Sequence, residues 1–353
     1  MSKITVGLIY GGKSTEYEVS LRSAKSVLDE IDKDKYNIRL IHVLKDGTWR
    51  TTTELSEIDL ENSDAETLYI VPGNQFKTDK GPVSIDVMLP VLHGTYGEDG
   101  NVQGAFNSAG VAFVGCNTRS SAIAMDKDIT KRLLTLAGID VARGIVLNDY
   151  ECDTCSFTDA SEKLGTPMFI KPANQGSSVG VFKVVDEKEY NHALSEAFKF
   201  DTKVLIEEAI VGREIEVSVL GNEELFISVP GEIVSNVDFY DYESKYLTDD
   251  GATLMIPAEI TEDEKIKIQD VAYRTFKTLD CEGFSRVDVF LTETGQVLVN
   301  EINTLPGFTS ISMYPKLIEV SGISYRELLD ELIHLALNRH EKEVALMTNN
   351  PLF

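Results

Sequence analysis

The side chains with the most chemical content lie on two neighbouring strand-like segments, residues 286–292 (RVDVFLT) and 296–303 (QVLVNEIN). Side chains alternate between faces along a strand, so Arg286 and Asp288 share a face of the first, and Glu301 and Asn303 share a face of the second. A loop of two or four residues around Glu293-Thr294 sets position 288 opposite 299, and that register brings all four polar residues to one face. Two carboxylates, an amide and a guanidinium are poor core material. They are good ligands for Mg²⁺ held between protein and phosphate, with the arginine beside developing negative charge. A solvated sheet face would be polar as well, so the pair needs support from elsewhere in the chain.

That support comes from residues 171–180 (KPANQGSSVG). A strand ends in Lys171, held extended by Pro172. The loop after it offers backbone N–H groups and the hydroxyls of Ser177 and Ser178 to an anion. It is not a Walker A loop, since no G-K-[ST] opens a helix. A Gly/Ser turn alone is more often just a turn; with the lysine and the acidic hairpin it becomes a candidate for nucleotide phosphates. Residues 11–16 (GGKSTE) follow an apolar strand and open a helix, where open α/β sheets bind small ligands. The G-x-G-x-x-G spacing is absent, which argues against a dinucleotide. Glu16 can neutralise an ammonium group there, or simply sit at the positive end of the helix dipole. Residues 93–100 (HGTYGEDG) are too rich in glycine and acid for a core segment, and His93 on its own reads as a satisfied structural histidine.

Hydrophobic spacing indicates the elements that must position these loops. Residues 4–10 (ITVGLIY), 38–44 (IRLIHVL) and 83–92 (VSIDVMLPVL) read as buried strands, and Leu21, Ala24, Val27, Leu28 and Ile31 repeat at helical spacing. Such alternation predicts a parallel sheet covered on both faces. Beyond about 125 the pattern changes to a helix over 125–136, strands at 145–147, 168–171 and 180–185, a helix over 186–200, and strands at 204–210 and 215–220. An aromatic-rich stretch, VDFYDYESKYL, follows. Two later helices open with capping boxes, Thr261 with Glu264 and Ser324 with Glu327. The reading is an α/β and α+β chain of three domains, over 1–122, 123–218 and 219–353.

Composition bounds the function. The 353 residues carry 33 Lys+Arg against 58 Asp+Glu, a net charge of −25, with 42% apolar and 26% charged residues. That is an ordinary globular composition. It offers no general basic surface for nucleic acid, although one pocket can be basic within an acidic protein. No segment reads as a membrane span, and residues 4–10 lack the features of a signal peptide, so a cytoplasmic enzyme is expected. Of the cysteines Cys116, Cys152, Cys155 and Cys281, the middle two form a C-x-x-C. It lacks the second pair or the histidines that zinc would need, so an ordinary loop is expected.

Taken in order, GGKSTEYEVS (11–20), HGTYGEDG (93–100), KPANQGSSVG (171–180), FYDYESKYL (239–247), GFSRVDVF (283–290) and NEINTLPGFTSISMYP (300–315) resemble the motifs of the D-alanine–D-alanine ligases, which are ATP-grasp enzymes. The resemblance spans nearly the whole chain. It implies a Rossmann-like N-terminal domain followed by a two-domain ATP-grasp fold that clamps ATP between its sheets. Lys127 and Lys171 would bind the ATP phosphates beside Ser178. Residues 207–210, with Glu207, Glu208 and Ile210, would form the adenine hinge, and Glu214 would hold the ribose. Asp288, Glu301 and Asn303 would hold two Mg²⁺ ions, or Mn²⁺, with Glu301 bridging. Glu16, Ser177 and Tyr246 would form a hydrogen-bonded set beside the first amino acid, with His93 near the substrate, and Lys245 would reach the transferred phosphoryl group. Arg286 and the Gly307 N–H would hold the oxyanion, with Ser312 on the second substrate's carboxylate and Met313 beside it.

The implied activity is ATP-dependent joining of two D-alanines through an acyl phosphate, for peptidoglycan precursor synthesis, by a cytoplasmic homodimer with no nucleic-acid or membrane partner. D-serine or D-lactate could replace the second substrate on the same fold. Lys245-Tyr246 argues against a hydroxy acid, and the apolar Met313 stands where D-serine relatives carry arginine. A non-enzymatic nucleotide-binding protein would have lost metal or phosphate ligands, and none is lost.

Overall fold

The computed structural model describes residues 3–52, 65–235 and 252–346. Its first strand, Ile4–Gly11, is buried from residue 6 onward, so both faces need cover. It lies between the parallel strands Tyr36–Val43 and Val87–Pro90, and Ala112–Phe113 continues the parallel run. Trp49–Thr52 and Glu66–Thr67 add antiparallel strands at the other edge. Helix Tyr17–Glu30 turns Val19, Ala24, Val27 and Leu28 inward on one side. Leu328, Leu329, Leu332 and Ile333 of the last helix, Tyr325–Ala345, complete that layer. Ile9, Ile41 and Met88 pack on the other side with Phe106 and Phe113. The N-terminal sheet therefore takes part of its cover from the far end of the chain.

The strand expected across 83–92 is interrupted. Gly81–Val83 belongs to a small separate sheet with Phe76–Thr78 and Tyr69–Ile70, and the parallel strand begins only at Val87. Between them, side chains supplement one backbone bond, from the Asp86 N–H to the Thr5 carbonyl at 2.9 Å. Gln75 Oε1 accepts from the Ile85 N–H at 3.0 Å, and Asp86 Oδ2 accepts from the Thr5 N–H at 2.7 Å.

The second sheet is antiparallel, in the order Gly144–Asn148, Lys203–Glu208, Met168–Pro172 and Phe182–Val184. Helices Phe157–Leu164 and Glu187–Ala197 pack on it around Ala160, Met168, Tyr190 and Ile206. Cys152 and Cys155 are free thiols, the latter buried in this core. The third sheet is also antiparallel, in the order Ala252–Met255, Gly231–Ser235, Gly212–Gly221, Gly283–Thr292 and Val297–Asn303, with Leu225–Ile227 beside Gly212–Gly221. Helix Glu262–Thr278 covers it through Ile268, Ala272 and Phe276.

The expected divisions at 122 and 218 both cut elements. Position 122 lies within helix Thr118–Met125, and Ala124 and Leu134 of this helical segment pack into the core of the third sheet. Position 218 lies within Gly212–Gly221, which pairs with Gly283–Thr292 over its whole length. Divisions just before Thr118 and just before Gly212 keep the sheets whole.

The hairpin register also differs from expectation. Leu291 pairs with Val297 and Val289 with Val299, one position away from the expected pairing of 288 with 299. On that ladder alone Asn300, not Glu301, would oppose Asp288. An irregularity between Asp288 and Val289 leaves Asn300 without a partner across the ladder, so Asp288 pairs with Glu301 and Arg286 with Asn303. The extra residue resets the alternation, and the four polar side chains share a face after all.

Both expected capping boxes form. In the one at Glu262–Thr278, the Thr261 hydroxyl accepts from the Glu264 N–H at 3.3 Å while Glu264 accepts from the Thr261 N–H at 2.8 Å. Thr261→Ala is expected to cost about 1 kcal/mol of unfolding free energy. The measurement is a urea titration, in which the midpoint should fall at unchanged slope; an unmoved midpoint would mean the cap does not hold the helix.

Candidate active site

The sheets meet around a cavity of about 1080 Å³. One wall is the start of helix Tyr17–Glu30. Gly11 has a φ of +93°, and a Cβ on it would come within 2.3 Å of the Val43 carbonyl, so only glycine lets the strand turn there. The turn delivers Glu16, buried, to the N-terminus of the helix, where Ser177 of the Gly/Ser loop donates a hydrogen bond to it. Gly94 closes in from another side: a Cβ there would lie 2.5 Å from Glu16 Oε2. Ser177 and Ser178 are both left-handed, with φ of +50° and +59°. Such residues cost about 1–3 kcal/mol each and gather at ligand clamps.

His93 is buried beside this group. Its Nδ1 lies 3.0 Å from the Leu305 carbonyl oxygen and its Nε2 2.9 Å from Ser23 Oγ. Burial disfavours its charged form, but Glu98, 3.8 Å from Nδ1, and Glu16 outweigh that and raise its pKa.

A second cluster lies next to the Gly/Ser loop. Glu207 is buried between Lys131 at 2.5 Å and Lys171 at 2.7 Å. Burial opposes its ionised form, yet the two ammonium groups prevail and hold its pKa below the ordinary carboxylate range. Burial likewise pushes the Lys131 ammonium down to about 8, with Glu207 opposing the fall and Lys171 and Lys127 adding to it. Lys127 donates to the Gln175 carbonyl at 2.6 Å and approaches Glu301 at 3.5 Å. Lys127 and Lys131 are one turn apart on helix Lys127–Leu136, whose N-terminus Asp126 caps. Lys131 is absent from the expected set; its four-residue spacing from Lys127 is the signal that points to it.

On the hairpin, Arg286 forks onto Asp288 at 2.7 Å through both Nε and Nη2, and reaches Glu216 at 2.9 Å. Burial opposes its charge, but Asp288 and Glu216 more than restore it, so its pKa stands well above the ordinary value. Glu216 is a second unexpected member, two residues from Glu214 on one strand and hence on the same face. Asn303 Nδ2 donates to Asp288 Oδ2 at 3.0 Å, which leaves its amide oxygen for a cation. Among the described residues no three His, Cys, Asp or Glu converge as an all-protein cage. Two carboxylates and an amide oxygen facing an open cavity suit a hard cation that keeps water or phosphate oxygens in its shell.

The last wall is the loop before helix Met313–Val320. Ser312 Oγ lies 3.0 Å from the Thr309 N–H nitrogen and 2.8 Å from Thr309 Oγ1, and a Cβ on Gly307 would meet it at 2.8 Å. Met313 is buried, with its sulfur 3.0 Å from where a Cβ on Gly231 would stand. The cavity thus brings together Glu16, His93, Ser177, Glu214, Arg286, Asp288, Glu301, Asn303, Gly307, Ser312 and Met313. Lys127, Lys171 and Glu207 form the adjoining ion cluster, with Ser178 in the loop beside it. Glu208, expected at the hinge with Ile210, closes its carboxylate on Arg143 at 2.6 Å. Lys245 and Tyr246 lie outside the described residues.

Fold and site together define the ATP-grasp class of ligases. The family model described as D-ala D-ala ligase N-terminus matches residues 5–116, and D-ala D-ala ligase C-terminus matches residues 133–334. A D-alanine–D-alanine ligase of Oceanobacillus iheyensis is 50% identical over 361 residues, covering 98% of this chain and 99% of its own. The solved structure of the D-alanine–D-alanine ligase from Coxiella burnetii aligns with a TM-score of 0.88 at 35% identity, covering 98% of this chain and 97% of that one. The VanG D-Ala:D-Ser ligase from Enterococcus faecalis aligns at 0.87 and 38% identity, covering 95% and 100%. The chain belongs to the D-alanine–D-alanine ligase family.

The buried ion cluster carries a pH prediction. As the pH rises through about 8, Lys131 loses its proton and leaves Glu207 with Lys171 alone. The stronger pull on Lys171 is expected to raise the KM for ATP severalfold across that step. Lys131→Met should raise this KM already at neutral pH and abolish the step; a step of equal size in the variant would assign it to another group.

Proposed function

We propose that this chain joins two D-alanines into D-alanyl-D-alanine with ATP, supplying a peptidoglycan precursor. The observation that carries the reading is the set of oxygen donors Asp288, Glu301 and Asn303 on one sheet face, with Lys127 reaching across to Glu301. A carboxylate is a poor electrophile, so the first D-alanine takes the γ-phosphoryl group of ATP and becomes an acyl phosphate, releasing ADP. The amine of the second D-alanine attacks its carbonyl carbon. The tetrahedral intermediate then expels phosphate, and the nitrogen loses a proton.

Glu16 and Ser177 hold the ammonium of the first substrate, beside His93. Lys127 and Lys171 bind the ATP phosphates with Ser178, and the segment from Glu207 to Ile210 takes the adenine, with Glu214 on the ribose. Asp288, Glu301 and Asn303 hold two Mg²⁺ ions, or Mn²⁺, which when bound neutralise phosphate charge. Arg286 and the Gly307 N–H stabilise the oxyanion, a contribution of several kcal/mol in acyl transfer, and Ser312 holds the second carboxylate. The family resemblance further assigns Lys245 to the phosphoryl group and Tyr246 to the hydrogen-bonded set with Glu16 and Ser177. ATP as co-substrate argues for a cytoplasmic enzyme, and the family resemblance for a homodimer.

The buried Met313, packed over Gly231, favours a methyl group in the second subsite over the hydroxyl of D-serine. The test is product identification by mass spectrometry after incubation with ATP, Mg²⁺ and equal D-alanine, D-serine and D-lactate. D-alanyl-D-alanine should dominate; a mixed product would overturn the substrate assignment. Met313→Arg should admit D-serine, because the guanidinium can donate to its hydroxyl and the apolar contact is lost. Glu301→Gln should nearly abolish turnover with the fold intact by circular dichroism, and near-normal turnover at ordinary Mg²⁺ would overturn the metal assignment.

A further inference from the structure

Ser23 is fully buried on the inward face of helix Tyr17–Glu30, where a hydroxyl is costly unless it has partners. A helical serine commonly returns its hydroxyl to the carbonyl four residues back, as Ser26 does to Arg22 at 3.2 Å. Ser23 bonds across to other parts of the chain instead. Its Oγ lies 2.9 Å from His93 Nε2 and accepts from the Phe308 N–H at 3.3 Å. His93 Nδ1 faces the Leu305 carbonyl at 3.0 Å. A carbonyl can only accept, so Nδ1 carries a proton. In the neutral ring Nε2 is then an acceptor, and the Ser23 hydroxyl donates to it.

The bonds therefore run from the Phe308 N–H to Ser23, from Ser23 to His93, and from His93 to the Leu305 carbonyl. They leave the loop at 308 and return to it at 305, closing a ring around Pro306 and Gly307. Were the imidazole protonated, Nε2 would donate and the Ser23 oxygen would accept both bonds, so the clamp holds in either charge state. Tyr325 fixes the loop from the other side, its hydroxyl donating to the Phe308 carbonyl at 2.6 Å. Gly307 has no side chain to anchor it, and one would meet Ser312 Oγ. Its N–H direction is set by the residues clamped on either side.

We propose that Ser23 is a positioning residue for the ligation: through His93 and the Phe308 N–H it sets the loop that presents the Gly307 N–H to the developing oxyanion. The proposal rests on the oxyanion role given to Gly307 above. It concerns only the second half of the reaction, since phosphoryl transfer places its charge elsewhere.

The experiment uses the full-length enzyme with D-alanine, Mg²⁺ and ATP labelled with ¹⁸O at the β,γ-bridge. Scrambling of that oxygen reports reversible phosphoryl transfer, and dipeptide formation reports the second half. Ser23→Ala should lower kcat for dipeptide about tenfold, less than outright loss of an oxyanion donor. The KM for ATP should stay within about twofold, and the ratio of scrambling to dipeptide should rise by the same factor as kcat falls. Ser23→Thr, which keeps the hydroxyl, should restore the ratio, and Gly307→Ala should raise it. Ser23→Cys, close in size and a weaker donor, serves if the alanine variant does not fold. An unchanged ratio in the Ser23 variants with a raised ratio in Gly307→Ala would overturn the role of Ser23 and leave that of Gly307 standing. An unchanged ratio in all of them would overturn both.

Discussion

Glu207 sits almost wholly out of water between the ammonium groups of Lys131 and Lys171, and much of the nucleotide side of the cleft is built to keep that arrangement. Stripping one partner from such a buried pair costs about 3–5 kcal/mol, because the remaining charge is left uncompensated. The carboxylate therefore fixes the end of strand Met168–Pro172, which carries Lys171, against the helix that carries Lys127 and Lys131. Lys203 holds the start of that helix through Asp126 at 2.5 Å and Asp128 at 3.2 Å. A chain of net charge −25 thus gathers Lys127, Lys131, Lys171 and Lys203 in one region, each balanced by a carboxylate, beside the proposed phosphate site.

The third sheet repeats the arrangement with the signs exchanged. Arg286 lies between Asp288 and Glu216, so its guanidinium is held in place before any ligand arrives. Lys127 and Glu301 link the two halves at 3.5 Å. The loop at the far wall is tied to the N-terminal domain as well as to its own sheet: Leu305 to His93, Phe308 to Ser23, and Thr304 to the Glu98 carbonyl at 3.4 Å, while the Phe308 ring packs on Phe284. Arg339 of the last helix adds bonds to the carbonyls of Gly115 at 2.6 Å and Phe113 at 2.8 Å. The groups assigned to the two substrates are thereby held by one continuous set of contacts.

Much of this was legible in the sequence, and the gaps have physical causes. The parallel strands, the capping boxes and the polar face of the hairpin follow from periodicity and cap chemistry, which are local. The register does not: alternation alone cannot tell where an extra residue is absorbed, and Asn300 looks like any other strand position. The divisions at 122 and 218 fell inside a helix and a strand because apolar periodicity does not say which sheet an element joins. Ala124 and Leu134 serve the third sheet although the second follows them in the chain. Local spacing places Lys131 and Glu216 beside expected residues, but the significance of Lys131, Glu216 and Ser23 lies in partners 76, 70 and 70 positions away in sequence, at Glu207, Arg286 and His93.

The oxygen donors that the bulge resets onto one face are, with the nucleotide, the proposed metal site of the cleft. That assignment can be checked by counting Mn²⁺ bound per chain by electron paramagnetic resonance, in the presence of a non-hydrolysable ATP analogue. Two ions are expected on the unaltered protein, with a loss of tight sites in both Asp288→Asn and Glu301→Gln and the analogue still bound. Equal Mn²⁺ stoichiometry and affinity in all three proteins would contradict it.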